Sequence, residues 1–266
     1  VQAVLLHLDA AQLGNVLQAD DLIGVRRQEL LLQNAHEVGA ASAQHRVFIA
    51  QDRFCFGDGA FKPSTNTFLL GGFAQVRRGE RVCDLGAGIG LPGLMLLSRE
   101  PEVHITDIDI DEAACALARR SAEGNGLTER IRVVQADLRR REQLPPGGSF
   151  DVCVANPPYF PPHTGRVAEG SRGVQRAELQ CTMDELCAAA AYLLRSGGRL
   201  YLIHRAERTA ELTDILRRHR LEPKELRFVQ KDSRTPPRLV LLRCRRDGGT
   251  GLTVRTPLLL QDEHGG

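Results

Sequence analysis

A short glycine-rich turn between a predicted strand and a predicted helix constrains this chain more than any other feature. Residues 81–90 read Arg-Val-Cys-Asp-Leu-Gly-Ala-Gly-Ile-Gly, a buried-strand pattern that ends in an acid and then in glycines. A helix-like run, residues 91–98, follows directly. Glycines in such a turn let the backbone approach a nucleotide closely at the N-terminus of the next helix. The segment therefore predicts the first unit of a nucleotide-binding α/β sheet.

The spacing of these glycines indicates which nucleotide is bound. They fall at Gly86, Gly88 and Gly90, and Leu91 stands where a dinucleotide fingerprint has its third glycine. This spacing favours S-adenosylmethionine over NAD. We therefore assign Asp84 and the three glycines to an S-adenosylmethionine site.

Two further predicted strands also end in acids. The strand at residues 103–109 ends at Asp109, our choice for the ribose hydroxyls of the cofactor. Asp107 and Asp111 are close competitors, although either is equally a solvated residue or the cap of the helix that starts near Glu112. The strand at residues 131–136 is followed by Asp137, which we expect to accept the amino hydrogens of the cofactor adenine.

After a fourth predicted strand, residues 150–155, the chain reads Asn156-Pro157-Pro158-Tyr159. A conjugated amine attacks a methyl donor only when acceptors hold its N–H groups and aim the nitrogen. Asn156 Oδ1 and the Pro157 carbonyl are suited to that role, and Tyr159 offers a flat face for stacking. Taken alone, the motif is equally a proline-stiffened turn. After three acid-ended strands, it predicts a methyltransferase that acts on a planar nitrogen without a strong base.

Composition is consistent with a soluble intracellular enzyme. The 266 residues suit one α/β domain with a small extension, and 35 Lys and Arg nearly balance 33 Asp and Glu. No apolar run approaches the ~18 residues of a membrane span, so we expect a cytoplasmic protein that does not enter a membrane. The seven cysteines form no Cys-x-x-Cys pair, so we expect no metal site, and Cys83 and Cys153 fall within buried-strand patterns.

The rest of the chain completes the predicted sheet. A helix is expected at residues 184–194, a break at 196–198, a strand at 199–203 and a helix at 207–219. Two strands, 226–229 and 238–243, follow with too short a connection for a crossover helix, so they should pair antiparallel. The prediction is a Rossmann-like class I methyltransferase: a doubly wound, seven-stranded, mostly parallel sheet with an antiparallel C-terminal hairpin.

From Phe54 to Leu260 the chain resembles the bacterial tRNA(Val) adenine-N6-methyltransferases, which modify the adenine at tRNA position 37. The glycine turn and Asn-Pro-Pro-Tyr are common to many methyltransferases and carry only the reaction class. The resemblance also extends over Phe54–Gly57, Phe68–Ala74, Gly197–Leu200, Ile203–Arg208, Leu221–Lys224, Gly251-Leu252 and Pro257-Leu258. Of these, the His-Arg-x-Glu-Arg segment at 204–208 and the tail are specific to the family. The resemblance implies that Gly86, Gly88, Gly90, Asp109 and Asp137 bind the cofactor, and that Asn156, Pro157 and Tyr159 hold the target adenine.

Several segments depart from the family pattern. Asn66-Thr67 replaces an acidic residue after an enlarged loop at 58–65, Arg176-Ala177-Glu178 stands where relatives tend to have Arg-His-Glu, and the tail is short. Residues 1–46 match nothing in the family and contain no Pro, Lys, Tyr or Phe. We expect them to form a helical extension or a wrongly joined upstream sequence, with the methyltransferase domain at 47–266.

Positive charge in the C-terminal half indicates where RNA binds. Residues 199–246 hold fourteen Lys or Arg against six Asp or Glu, a local net charge of +8. The segment 160–180, directly after the catalytic turn, is either a lid that orders on RNA or a long surface loop. The candidate RNA contacts are Pro158, Phe160, Arg166, Arg172, Arg176, His204, Arg205 and Arg208.

The predicted reaction is methylation of adenine 37 of tRNA, flipped from the anticodon loop into the pocket of an enzyme assumed to be monomeric. Two other functions remain open. Release-factor glutamine methyltransferases also use Asn-Pro-Pro-Tyr, because a side-chain amide presents the same orientation problem. A non-catalytic cofactor- or RNA-binding relative is the other, since Arg176-Ala177-Glu178 and the tail depart from the family.

Overall fold

The computed structural model describes residues 44–49, 52–57, 64–157 and 181–260, the first two ranges as backbone. The described strands are β1 Gln44–Ile49, β2 Asp52–Gly57, β3 Arg81–Leu85, β4 His104–Asp109, β5 Ile131–Gln135, β6 Phe150–Ala155, β7 Leu194–Arg205, β8 Leu221–Gln230, β9 Leu239–Arg246, β10 Thr253–Val254 and β11 Leu258–Leu259. The described α-helices are α1 Thr65–Phe73, α2 Leu91–Arg99, α3 Glu112–Gly124, α4 Met183–Leu193 and α5 Thr209–Arg218. Single 3₁₀ turns occupy Arg141–Gln143 and Ala206–Arg208.

One large sheet organises the molecule, in the order β5-β4-β3-β6-β7-β9-β8. Strands β3 to β7 are parallel, and β9 is antiparallel to both β7 and β8. The predicted doubly wound sheet and its antiparallel C-terminal hairpin are therefore confirmed. The chain reverses its winding direction between β3 and β6, and in such sheets the ligand cleft lies at the carboxyl ends of the strands beside that reversal.

Two features of the strands were not predicted. The two-residue strands β10 and β11 extend its outer edge by pairing in parallel with β8. A separate antiparallel hairpin, β1 with β2, precedes the sheet, and the boundary predicted between residues 46 and 47 falls inside β1.

Strand β7 begins earlier than predicted. The break expected at residues 196–198 is wrong, because the chain enters β7 at Leu194 directly after α4. Gly197 has a φ of 78°, and the pairing with β6 shifts register between Phe150 and Val152. The glycines thus form an irregularity within the strand rather than ending it.

Local capping fixes where the helices begin. Ser64 Oγ accepts the Thr67 N–H at α1, Asp111 accepts two N–H groups at α3, and Thr182 forms a capping box with Glu185 at α4. At the other end of α1, the Arg99 guanidinium donates to the carbonyls of Gly71 at 2.6 Å and Ala74 at 2.7 Å. Helix α1 is therefore capped by Ser64 at its N-terminus and held at its C-terminus by Arg99 of α2.

Apolar side chains cover both faces of the sheet. On one face, Phe73 of α1 meets Tyr201 of β7 edge to face, with ring centroids 5.7 Å apart. On the other face, α4 and α5 pack over a cluster that includes Cys83 and Cys153, both fully buried as predicted. The sheet is therefore a rigid support for the loops at its carboxyl edge.

Candidate active site

The glycine turn leaves β3 at the carboxyl edge of the sheet. The N–H groups of Gly86 and Ala87 both donate to the Ile108 carbonyl of β4, at 2.9 and 3.0 Å. Gly86, Gly88 and Gly90 have φ values of 67°, 55° and 77°, a region that only glycine adopts without strain. The neighbouring strand thus holds the turn in a conformation that other residues disfavour.

Space around the turn differs from one glycine to the next. Among the residues that the structure describes, a Cβ placed at Gly86 or Gly88 would meet no atom within 4 Å, so the described part of the fold leaves this side of the turn open. A Cβ at Gly90 would lie 2.6 Å from Asp107 Oδ2 and 3.3 Å from the Ala118 Cβ. Gly90 therefore serves close packing, whereas Gly86 and Gly88 leave room for a ligand.

Asp109 lies beside the turn at the end of β4. Its Oδ2 accepts the Gly88 N–H at 2.7 Å and its Oδ1 accepts the Asp111 N–H at 2.9 Å. The side chain keeps part of its surface exposed, and each carboxylate oxygen has a second lone pair. Of its two competitors, Asp111 caps α3 and Asp107 is buried beneath the turn.

Two buried carboxylates lie under the turn on adjacent strands. Asp84 and Asp107 are register partners, only 1% and 2% exposed. Asp84 Oδ2 and Asp107 Oδ1 have no hydrogen-bond partner among the described residues. Burial, followed by the neighbouring acids, raises the pKa of Asp107 to about 7 and raises the pKa of Asp84 well above its ordinary value.

These residues fit a cationic nucleotide cofactor. S-adenosylmethionine carries a sulfonium and an ammonium group, and positive charge over the turn offsets the repulsion among Asp84, Asp107 and Asp109. The open surface at Gly86 and Gly88 is the second match, because it lets a ligand approach the backbone.

Asp137 is engaged differently from the expectation. Both of its oxygens contact Arg139, with Nη2 at 2.7 Å from Oδ2, and its N–H donates to Gln143 Oε1 at 2.9 Å. The hydrogen bonds from Arg139 lower the pKa of the Asp137 carboxyl, so it is ionised near neutral pH. A cofactor amino group would have to share this carboxylate with Arg139.

Asn156 and Pro157 lie directly after β6, whose end is paired with the end of β3. Asn156 Nδ2 donates to Thr67 Oγ1 of α1 at 3.1 Å, and Thr67 Oγ1 is 2.9 Å from Ser64 Oγ. Ser64 Oγ already accepts the Thr67 N–H. With the Thr67 hydroxyl as the donor to Ser64 Oγ, the lone pairs of Thr67 Oγ1 accept the hydrogen bond from Asn156 Nδ2. The Nδ2 end of the Asn156 amide is therefore directed toward α1.

The role of Thr67 was missed in the sequence. The contact joins residues 89 positions apart, which no local pattern reveals. The available signal was the departure at Asn66-Thr67, together with a serine at the N-cap position three residues before Thr67.

The three described RNA candidates differ in exposure: His204 is buried, Arg208 is half-buried and Arg205 is exposed. His204 is 1% exposed, its Nδ1 lies 2.8 Å from the Arg205 N–H, and burial lowers its pKa to about 4. We therefore correct the expectation that His204 contacts RNA directly, because its neutral ring is buried. Arg205 pairs with Glu207 at 3.5 Å and Arg208 pairs with Glu211. The other RNA candidates lie outside the described residues: Pro158, Phe160, Arg166, Arg172 and Arg176. Tyr159, predicted to stack on the target adenine, lies outside them as well.

The basic residues between 199 and 246 occupy both edges of the sheet. At the amino edge, Arg217, Arg218 and Arg220 line a cavity of about 800 Å³ and form ion pairs with nearby acids. Lys231, Arg234 and Arg238 lie instead in the loop at the carboxyl edge. The excess charge is thus divided between the carboxyl edge of the sheet and its amino edge.

Comparison with known proteins decides the family. Residues 49–229 match the model of the methyltransferase small domain. A tRNA1(Val) (adenine(37)-N6)-methyltransferase of Parabacteroides distasonis is 31% identical over 69% of this chain and 76% of its own length. The enzyme of the same name from Dickeya chrysanthemi is 30% identical over 82% and 85%. The chain belongs to this methyltransferase family. The resemblance seen in the sequence, and the prediction of an S-adenosylmethionine-dependent methyltransferase, are confirmed.

Solved structures agree on the fold alone. A predicted O-methyltransferase from Agrobacterium tumefaciens is 24% identical, with a TM-score of 0.62, over 74% of this chain and 88% of its own. A [4+2]-cyclase is 17% identical, with a TM-score of 0.52, over 72% and 85%. Because a cyclase shares the fold, the chemistry of this chain has to be argued from its family and its site.

Two observations bear on metals and membranes. Among the residues that the structure describes, no group of three or more His, Cys, Asp or Glu side chains could hold a metal ion. None of the described helices is long and apolar enough to cross a membrane.

Proposed function

We propose that this methyltransferase methylates the exocyclic N6 of an adenine in tRNA, adenine 37 of tRNA(Val). The observation that carries the proposal is the position of Asn156-Pro157 beside the open glycine turn, with the Asn156 amide held by Thr67. The names of the relatives supply the substrate, because a planar nitrogen on a protein would make the same demands on Asn156. The match of the family model from residue 49 onward supports a catalytic domain at 47–266.

Each residue has a proposed task. Asn156 Oδ1 and the Pro157 carbonyl accept the two N6 hydrogens of the adenine and thereby turn the nitrogen toward the cofactor side of the cleft. Tyr159 stacks on the base. Bound S-adenosylmethionine supplies an electrophilic methyl group on sulfur. No His or Glu is assigned as a base, because the amine loses its proton after it has been methylated.

Cofactor binding is assigned to the carboxyl ends of β3, β4 and β5. Gly86, Gly88 and Gly90 shape the turn, with Asp84 beneath it. Asp109 accepts the ribose hydroxyls with the lone pairs that Gly88 and Asp111 leave available. Asp137, ionised beside Arg139, accepts the adenine amino group of the cofactor.

Two variants separate these tasks. Asn156→Ala should lower the rate of methyl transfer to tRNA roughly 10²–10³-fold, while calorimetry still finds nearly normal S-adenosylmethionine binding. Asp109→Ala should weaken cofactor binding itself. Asp111→Asn is the matched control, because asparagine also caps helices and the cofactor affinity should not change. Normal turnover by Asn156→Ala would refute its role, and equal losses in Asp109→Ala and Asp111→Asn would refute the ribose assignment.

A further inference from the structure

Three exposed cations lie close together in the loop between β8 and β9. This loop, residues 231–238, is called the basic loop below. Lys231, Arg234 and Arg238 are exposed, and none of their side chains forms an ion pair within the part of the chain that the structure describes. The neighbouring Arg205 and Arg208 differ, because each forms an ion pair, Arg205 with Glu207 and Arg208 with Glu211.

Internal hydrogen bonds give the basic loop a fixed shape. Asp232 Oδ1 accepts the N–H groups of Arg234 at 2.9 Å and Thr235 at 3.0 Å. The Asp232 N–H donates to Thr235 Oγ1 at 3.1 Å, and Gln230 Nε2 donates to the Asp232 carbonyl at 2.9 Å. Pro236 and Pro237 stiffen the return to β9. Asp232 therefore hydrogen-bonds to backbone N–H groups of the basic loop, and the positive charges of Lys231, Arg234 and Arg238 are available to bind an anionic partner.

The basic loop stands at the edge that carries the catalytic turn. The Arg238 carbonyl accepts the Ala206 N–H at 3.0 Å, just past the carboxyl end of β7. Strand β7 in turn pairs Leu202 with Ala155, the residue before Asn156. Neighbouring strands are ~4.8 Å apart, so β9 lies roughly 10 Å from β6 across the sheet. An RNA that places a base at Asn156 also places its neighbouring phosphates over this edge.

We infer that the basic loop is an RNA-docking surface, in which Lys231, Arg234 and Arg238 bind the phosphates that flank the target adenine. The inference rests on the proposed function, which names RNA as the substrate. A preformed, charged loop binds the phosphate backbone without reading sequence, so it positions the RNA while Asn156 selects the atom.

Salt-dependent binding tests this inference. Arg234→Gln with Arg238→Gln removes two charges from the basic loop. Arg77→Gln with Arg245→Gln removes two exposed charges that form no ion pair in the described structure and lie at the opposite edge. Affinity for unmodified tRNA(Val) is measured at several salt concentrations, together with S-adenosylmethionine affinity and the melting temperature as controls for folding.

The loop variant should bind tRNA more weakly, with normal cofactor affinity and melting temperature. Each lost phosphate contact lowers the salt slope by about 0.7, so the slope should fall by about 1.4. The ratio of wild-type to variant affinity then shrinks roughly seven-fold between about 50 and 200 mM salt. The control variant should keep the wild-type slope.

Two results overturn the inference while the proposed function stands: a loop variant with the wild-type slope, or a control variant that loses as much as the loop variant. Both would mean that the basic loop is only a solvated, charged surface. A wild-type protein that binds and methylates no tRNA would instead refute the proposed function, and the inference with it.

Discussion

Replacing Thr67 by valine tests whether α1 orients the Asn156 amide for the proposed reaction. Valine has the shape of threonine but no hydroxyl, so Asn156 Nδ2 loses the acceptor that now lies 3.1 Å away. A hydrogen bond of this kind contributes about 1–1.5 kcal/mol. If its loss acts only on the reacting geometry, kcat falls about ten-fold, since 1.4 kcal/mol is one factor of ten in rate. Asn156→Ala should cost more, roughly 10²–10³-fold, because it also removes the acceptor for the adenine.

Single-turnover methylation of tRNA measures this effect, with the affinity for S-adenosylmethionine as a separate readout. Thr67→Val should lower the rate of methyl transfer and leave the cofactor affinity unchanged. Thr67→Ser keeps the hydroxyl and should restore most of the rate. In an Asn156→Ala background, Thr67→Val should have no further effect. A wild-type rate in Thr67→Val, or an equal loss in the Asn156→Ala background, would show that Thr67 does not act through Asn156.

Three further outcomes are expected. Gly88→Ala should destabilise the apoprotein by only about 1–2 kcal/mol of backbone strain, yet it should block cofactor binding. Gly90→Ala should destabilise the apoprotein more, because the new Cβ would lie 2.6 Å from Asp107 Oδ2. Urea unfolding measures the stability of both variants, and calorimetry measures their affinity for S-adenosylmethionine. The pKa of Asp107 is about 7 when folded and about 4 when unfolded, so its contribution to stability is greatest below about pH 4 and falls as the pH rises to about 7. Asp107→Asn should therefore stabilise the apoprotein at about pH 8, by at most about 4 kcal/mol, and not at pH 4. Ser64→Ala should lower the free energy of unfolding by about 1 kcal/mol through the lost cap of α1 and should also slow methyl transfer through Thr67; an unchanged rate would contradict the second effect.

The central strands could be predicted because their signals are local. Strands β3 and β6 are mostly buried and read as largely apolar runs. Each is followed at once by a residue type that marks a turn, Gly86 after β3 and Asn156 after β6. The capping role of Asp111, which was one of the alternatives, also follows from its place before α3.

The missed features depend on contacts between distant segments. Thr67 reaches Asn156 only after α1 has packed beside the sheet, and the burial of His204 appears only in the folded structure. The early start of β7 depends on β6, which supplies hydrogen bonds across a shifted register. The Asp137–Arg139 pair is the exception, since an acid and an arginine two positions apart after a strand are visible in the sequence.

The most direct test of the central claim is nucleoside mass spectrometry of tRNA(Val) that lacks the position-37 modification, after incubation with S-adenosylmethionine and the protein. The account predicts N6-methyladenosine at position 37 with the wild-type protein and, over the same incubation, roughly a hundred-fold less, or lower still, with Asn156→Ala. Wild-type protein that binds the cofactor but leaves the tRNA unmodified would contradict it.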